Sequence, residues 1–268
     1  MNANTELISI IMAAYNAEKT IVSAIQSVVS QTYPNWELLV INDCSKDNTE
    51  EIVLRFAHSD PRIRLIKNTT NCGVSVTREK GMEASRGAWI AVLDSDDMWE
   101  PDKLEKQLRL VNTTGAELVF TASAFIDNAG NRLDWQLHVP ATISYRELLK
   151  QNLISNSSVL VRTALYKKYY AIGDSMHEDF AMWLAITKAG YKAYGIDEPL
   201  LIYRLARASR SSNKFKAVIM NWNTYRYVGL NFATSMYYML YYIKNGLFKC
   251  CMLKSSKKVG NGSHHTSP

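Results

Sequence analysis

Short apolar runs rich in β-branched residues alternate with stretches of helical spacing through the first hundred residues. The run at 7–12 (LISIIM) predicts a buried strand. Apolar positions Ile21, Ala24, Ile25 and Val28 then recur at helical spacing within 17–31, and Pro34 closes that segment. WELLVI (36–41) predicts a second buried strand, and Asp47 to Glu50 resembles a cap that opens a helix through Phe56. RIRLI (62–66) reads as a third strand, Val74–Ala84 as a helix ended by Gly87, and AWIAVL (88–93) as a fourth strand. Strands separated by helices of this length predict βαβ units, with ligands at the carboxyl ends of the strands.

The second hundred residues are less regular. Helices are expected over Pro101–Val111 and Glu178–Ala189, and strands over 117–125 and 157–162. The pattern divides the chain into a region at 1–100, a second at 101–210, a basic aromatic tail at 211–258 and an unpatterned end at 259–268. No apolar run is long enough for a membrane span, and no basic leader with a cleavage site opens the chain. Cys44, Cys72, Cys250 and Cys251 have neither paired spacing nor histidine partners, which disfavours a disulfide scaffold or structural zinc and suits a reducing cytosol.

Charge changes the picture further. Of 31 Lys and Arg, eleven lie beyond Glu198, whereas all 25 Asp and Glu lie at or before it. Residues 1–198 therefore carry a formal −5 and the remainder +11, which predicts an anionic partner for the tail. Within 221–258, Tyr225, Tyr227, Tyr237, Tyr238, Tyr241 and Tyr242 are interleaved with aliphatic residues and cations. Amphipathic rings beside Lys and Arg suit a lipid headgroup boundary, so an interfacial helix pair is expected there.

The sharpest chemistry is Asp94-Ser95-Asp96-Asp97, directly after an apolar strand. Carboxylates crowded at a strand end repel one another, and a hard divalent cation, Mg²⁺ or Mn²⁺, relieves that repulsion and can bridge to a diphosphate. The competing reading is an acidic turn ahead of the helix at Pro101. Asp43 stands equivalently after WELLVIN, where a fixed carboxylate can accept a base N–H, although a turn residue fits the same place. His177 reads as a surface residue at a helix start, and Met182 and Trp183 as core or acceptor-site wall.

Together these pieces resemble the inverting family-two glycosyltransferases of the GT-A fold. The resemblance rests on SIIMAAYN (9–16), VINDCSKDNT (40–49), the stretch from NCGVSVTREK to DSDDMWEPDKL (71–104), and HEDFAMWLAITKAGYKAYGIDEPLLIYRL (177–205). It implies an α/β, Rossmann-like and mostly parallel sheet flanked by helices, with the tail as a membrane-associating appendage. It implies that Ala13, Tyr15 and Asn16 line the nucleotide, Asp43 holds the base and Arg78 reaches the diphosphate or the edge of the base pocket. Asp94 and Asp96 would then meet the donor, Asp96 and Asp97 would hold the metal, and Asp179 of the Glu178-Asp179 pair would be the catalytic base. Glu178, Trp183 and Arg204 are the expected acceptor-side or secondary residues.

The expected partners are a UDP-sugar, a lipid-linked saccharide acceptor in surface-polysaccharide assembly and an anionic membrane surface on the cytoplasmic side, with no nucleic acid. Departures from the family pattern are the alanines at 13 and 14, Asn42, Thr77 and Glu79 around Arg78, and Ala206. A nucleotidyltransferase would need a glycine-rich basic first loop, which MAAYNAEKT is not. A nucleic-acid-binding protein would explain the cationic tail but not the acidic motifs.

Overall fold

The computed structural model of the chain describes residues 6–173, 175–205 and 214–259, with side chains of the last segment described over 215–246. Ala206, Arg207, Arg210 and the side chains of Cys250, Cys251 and the last four lysines lie outside the described residues. Four parallel strands form one half of the sheet: β1 (Ile8–Ala14), β2 (Trp36–Asn42), β3 (Ile63–Lys67) and β4 (Trp89–Val92). Between them run α1 (Ile21–Val29), α2 (Thr49–Ser59) and α3 (Val74–Ala84).

Helix α1 begins four residues later than its apolar spacing suggests. The Ala17 and Glu18 amides instead donate to Thr49 Oγ1 at 2.8 Å and Asp47 Oδ2 at 3.0 Å, which fixes a turn there. The remaining strands are β5 (Met98–Trp99), β6 (Leu118–Ile126), β7 (Arg132–Leu137), β8 (Thr142–Ile143), β9 (Leu160–Arg162) and β10 (Ala193–Arg204). Helices α4 (Lys103–Thr114), α5 (Tyr145–Lys150), α6 (Thr163–Tyr169) and α7 (Glu178–Lys188) lie among them.

The sheet order is β3-β2-β1-β4-β9-β6-β10-β5, with β7 on β6 and β8 on β10. The expectation of a mostly parallel sheet is corrected to a mixed one, because β9 runs antiparallel to both β4 and β6, and β5, β7 and β8 are also reversed. The reason is local. A 3-10 turn at Asn156–Ser158 brings the chain to the carboxyl edge of β4, so β9 must descend from that edge.

Side chains alternate across this sheet as a pleated strand requires. Ile8, Ile10, Met12, Leu38 and Val40 pack with α1 and α4 on one face, while Ile11, Leu39 and Ile41 join the core of α5 and α7 on the other. Helix α3 lies close on that second face, where a Cβ at Gly81 would meet Ile11 Cγ2 at 2.6 Å and Ile41 Cδ1 at 2.7 Å.

Two further helices close the described chain, α8 (Lys214–Tyr227) and α9 (Phe232–Val259). Helix α8 packs on the folded unit. Thr224 Oγ1 accepts the His177 amide at 3.0 Å, and the Tyr225 hydroxyl donates to Leu149 O at 2.7 Å. Helix α9 buries Met239 but leaves Phe232, Met236, Tyr237, Leu240 and Ile243 exposed. Among the described residues no helix is long and apolar enough to cross a membrane.

Candidate active site

The carboxyl ends of β1 and β4 and the start of α7 open onto one cleft of about 800 Å³. Ala13, Tyr15, Asn16, Arg78, Asp94, Asp96, Asp97, Glu178 and Asp179 all line it. Asp43 lies in an adjoining pocket of about 430 Å³ that shares Ala13 and Tyr15 with the cleft. Residues drawn from three separated motifs are thus brought to one place.

Asn16 shapes the floor through its backbone. It sits at φ 49°, where an asparagine is tolerated, and its Oδ1 accepts the Lys46 amide at 2.8 Å. Its own amide donates to Ser45 Oγ at 3.0 Å, so the loops after β1 and β2 are clasped together. Tyr15 is half exposed, its ring presented to both cavities.

Asp43 is buried and strongly organised. Its Oδ1 accepts from Asn68 Nδ2 at 2.7 Å and the Cys72 amide at 2.8 Å, and its Oδ2 accepts from the Gly73 amide at 3.0 Å. With two acceptor sites per carboxylate oxygen, Oδ2 keeps capacity for one more donor.

Arg78 lines the cleft with its guanidinium already paired. It is buried, with Nη1 donating to Glu178 Oε1 at 2.9 Å and Nη2 to Asp94 Oδ1. The two carboxylates hold the guanidinium firmly charged against the desolvation that burial imposes. Glu178, 6% exposed, is therefore committed to Arg78, while the half-buried Asp179 faces the cleft and accepts the Phe180 amide at 2.7 Å.

The acidic loop is electrostatically crowded. Burial, and then the charge of Asp94, push the Asp96 carboxyl up to about 6. Burial, and then Asp96 and Asp94, push the Asp97 carboxyl well above the ordinary range, against the Arg204 amide and Ser157 hydroxyl that pull it down. Asp97 Oδ1 accepts the Arg204 amide at 3.0 Å, and Oδ2 is buried without a hydrogen-bond partner. An orphaned carboxylate oxygen beside two repelling carboxylates fits a hard divalent cation. Among the described residues, no three His, Cys, Asp or Glu side chains gather to hold a metal. One or two carboxylates would suffice for Mg²⁺ where substrate phosphates and water complete its shell.

Two expected site residues lie elsewhere. Trp183 is fully buried in the core, because its position on α7 points into the sheet rather than the cleft. Arg204 is outside the cleft lining and takes a secondary place, bracing the acidic loop. Its amide holds Asp97, its Nε donates to Asp96 O at 3.0 Å, and its Nη1 to Asp127 O at 3.4 Å.

Conversely, the cleft recruits residues not singled out from the sequence. The loop at 152–157 lines it, and Ser157 Oγ accepts the Asp94 amide at 3.1 Å. The polar run NLISNSS (152–158), breaking the apolar pattern just before a strand, is the signal that marks it. His177, read as a surface residue, lines the cleft, as do Phe125 and Tyr203, whose rings lie 5.6 Å apart. Met220 of α8 also reaches it.

This fold is that of the GT-A glycosyltransferases. Residues 1–349 of S. aureus TarS in complex with UDP-GlcNAc align with a TM-score of 0.70 at 18% identity, over 87% of this chain and 70% of that one. The mannosyltransferase PcManGT of Pyrobaculum calidifontis, in complex with GDP-Man and Mn²⁺, aligns with a TM-score of 0.67 at 14% identity, over 87% and 68%.

The chain belongs to glycosyl transferase family 2, whose model matches residues 9–171. It is 35% identical over 244 residues to the putative teichuronic acid biosynthesis glycosyltransferase TuaG of Bacillus subtilis (strain 168), spanning 91% of this chain and 97% of that protein. It is 37% identical over 244 residues to the Escherichia coli UDP-Glc:alpha-D-GlcNAc-diphosphoundecaprenol beta-1,3-glucosyltransferase WfgD, spanning 91% and 94%. It is a glycosyltransferase of the kind found in bacterial polysaccharide synthesis.

Proposed function

We propose that the chain moves a hexosyl unit from a UDP-sugar to a lipid-linked saccharide, inverting the anomeric centre to give a β-linkage in O-antigen, lipopolysaccharide or capsule assembly. UDP-glucose, UDP-galactose and UDP-N-acetylhexosamine are the first donors to consider. The observation that carries this reading is that Asp179 and the Asp94–Asp97 loop share one cleft, with Asp43 in the pocket adjoining it. The remaining acceptor site on Asp43 suits the N3–H of uracil, which cytosine lacks. The relative WfgD is named for a UDP-glucose donor and a diphosphoundecaprenol-linked acceptor.

Asp96 and Asp97 are the residues to hold Mn²⁺ or Mg²⁺. A bound cation there supplies positive charge against the negative charge that grows on the departing diphosphate. Asp179 accepts the proton of the acceptor hydroxyl as that oxygen attacks from the face opposite the leaving group. Arg78 orients this arrangement by holding Glu178 beside the base and Asp94 beside the donor.

The exposed apolar residues of α9, in a tail without acidic residues, suit peripheral attachment to the cytoplasmic face of an anionic membrane. A lipid-linked acceptor would then be met at the surface that carries it. The test is a screen of nucleotide sugars, with a GlcNAc-diphospholipid acceptor and Mn²⁺ or Mg²⁺, for release of nucleoside diphosphate. UDP release on a UDP-hexose is the expected result. No release from any nucleotide sugar overturns the reading in favour of a binding protein with a non-catalytic GT-A-like domain.

A further inference from the structure

The pocket around Asp43 is built almost wholly from the donor half, by Ala13, Ala14, Tyr15, Asn71, Gly73, Val74 and Thr77, with one exception. That exception is Lys216, which arrives from α8, far along the chain, and is the one cationic side chain among the described residues that line the pocket. Its helix is held firmly in place, since α8 caps the start of α7 through Thr224 and anchors to Leu149 through Tyr225.

We infer that Lys216 is a donor-specificity residue, closing the Asp43 pocket from α8 and donating to the O4 carbonyl oxygen of the bound uracil. This rests on the reading that the pocket takes the base of a UDP-sugar. The chemistry is complementary. Uracil presents an N–H between two carbonyl oxygens, so a pocket that reads it needs an acceptor flanked by a donor. Asp43 provides the acceptor, with one site left after its three hydrogen bonds.

The neutral side chains nearby serve the Asp43 network. Asn71 Nδ2 donates to Asp43 O at 3.3 Å, and Thr77 Oγ1 is buried against Asn68 Nδ2 at 3.1 Å. An ammonium beside the exocyclic position favours the oxygen of uracil and opposes the amino group of cytosine. Acceptor and cation together therefore discriminate twice against CDP.

The experiment is calorimetric titration of wild type, Lys216→Met and, as a control, Lys244→Met at an exposed position on α9. The ligands are uridine, UMP, UDP and CDP. Because hydrogen bonds to charged groups are strong, Lys216→Met should weaken uridine, UMP and UDP alike by about tenfold and narrow the preference for UDP over CDP. Lys244→Met should change neither.

If uridine binding is untouched while UDP binding falls, Lys216 addresses the phosphates and the base assignment is overturned. If Lys216→Met binds all four ligands as wild type does, Lys216 has no part in the site, although the UDP-sugar reading stands. If wild type itself binds no UDP, the failure is that of the UDP-sugar reading.

Discussion

Arg78 donates to Glu178 across 2.9 Å, joining two positions a hundred residues apart in sequence. The same guanidinium holds Asp94, so one buried cation fixes the acidic loop and the first residue of the helix that carries the candidate base. Removing it leaves Glu178 buried without this ion partner, and breaking a buried pair in that way costs about 3–5 kcal/mol. Arg78→Met should therefore lower the free energy of denaturant unfolding by about that amount, and transfer activity with it. A loss below about 1 kcal/mol, the range of surface pairs, would show that the pair is solvated and unimportant.

The acidic loop should weaken the metal-free protein. An unfolded aspartate titrates near 4. Asp96 is pushed up to about 6 in the folded state and Asp97 is also raised well above the ordinary range, so the native protein holds more protons than the unfolded chain above pH 4. Their contribution to stability therefore falls as pH rises through about 4 to 6 and beyond. Other carboxylates act oppositely, since Glu37 and Asp60 are held low by Arg86 and Arg62. The informative quantity is thus the difference between wild type and Asp97→Asn. In EDTA, Asp97→Asn should unfold at a higher temperature than wild type, by a margin that grows from pH 5 to pH 7. Mn²⁺ should stabilise wild type and not the variant. A margin that shrinks with rising pH would mean that Asp97 is ionised and satisfied without metal.

Asp179→Asn preserves size and removes basicity. Transfer should fall by about 100-fold or more while UDP binding holds. Proton NMR of the product should show the anomeric configuration inverted. Near wild-type transfer by the variant, or a retained configuration, excludes Asp179 as the base of a single displacement.

Leu240 is 64% exposed and Ile243 45% exposed on α9, so neither contributes much to the core. Leu240→Glu combined with Ile243→Glu should leave thermal unfolding unchanged yet reduce flotation with vesicles containing phosphatidylglycerol. Wild-type binding should also weaken as salt screens the attraction. Equal binding by the double variant would place the membrane contact elsewhere, and indifference of wild type to lipid charge would argue for a plain packed helix.

Much of the donor half was legible because its strands are unbroken apolar runs and its helices lie between them. Val74–Ala84 spans the residues its pattern predicts. Strand β10 was not legible, although it is twelve residues long. Asp197, Glu198 and Pro199 interrupt its apolar pattern, and its pairing with β6 shifts register between Ile196 and Leu201.

The acidic residues of the site announced themselves by type, but their orientation did not. Nothing local distinguishes Asp97, buried against the Arg204 amide, from Asp96 beside it. The Arg78–Glu178 pair and the Lys216 wall depend on segments brought together by the fold, and Lys216 is indistinguishable in sequence from the other cations of the tail.

Strand β9 lies between β4 and β6, although 67 residues of chain separate it from β4. As the chain leaves the ribosome, the donor half is therefore complete in sequence while the outer edge of β4 is still bare. Residues 89–91 must wait for 160–162 to arrive, and Asp97 waits longer still for the amide of Arg204. An uncovered strand edge is a template for pairing with another chain. A chain truncated between β6 and β9 would leave that edge of β4 without its partner.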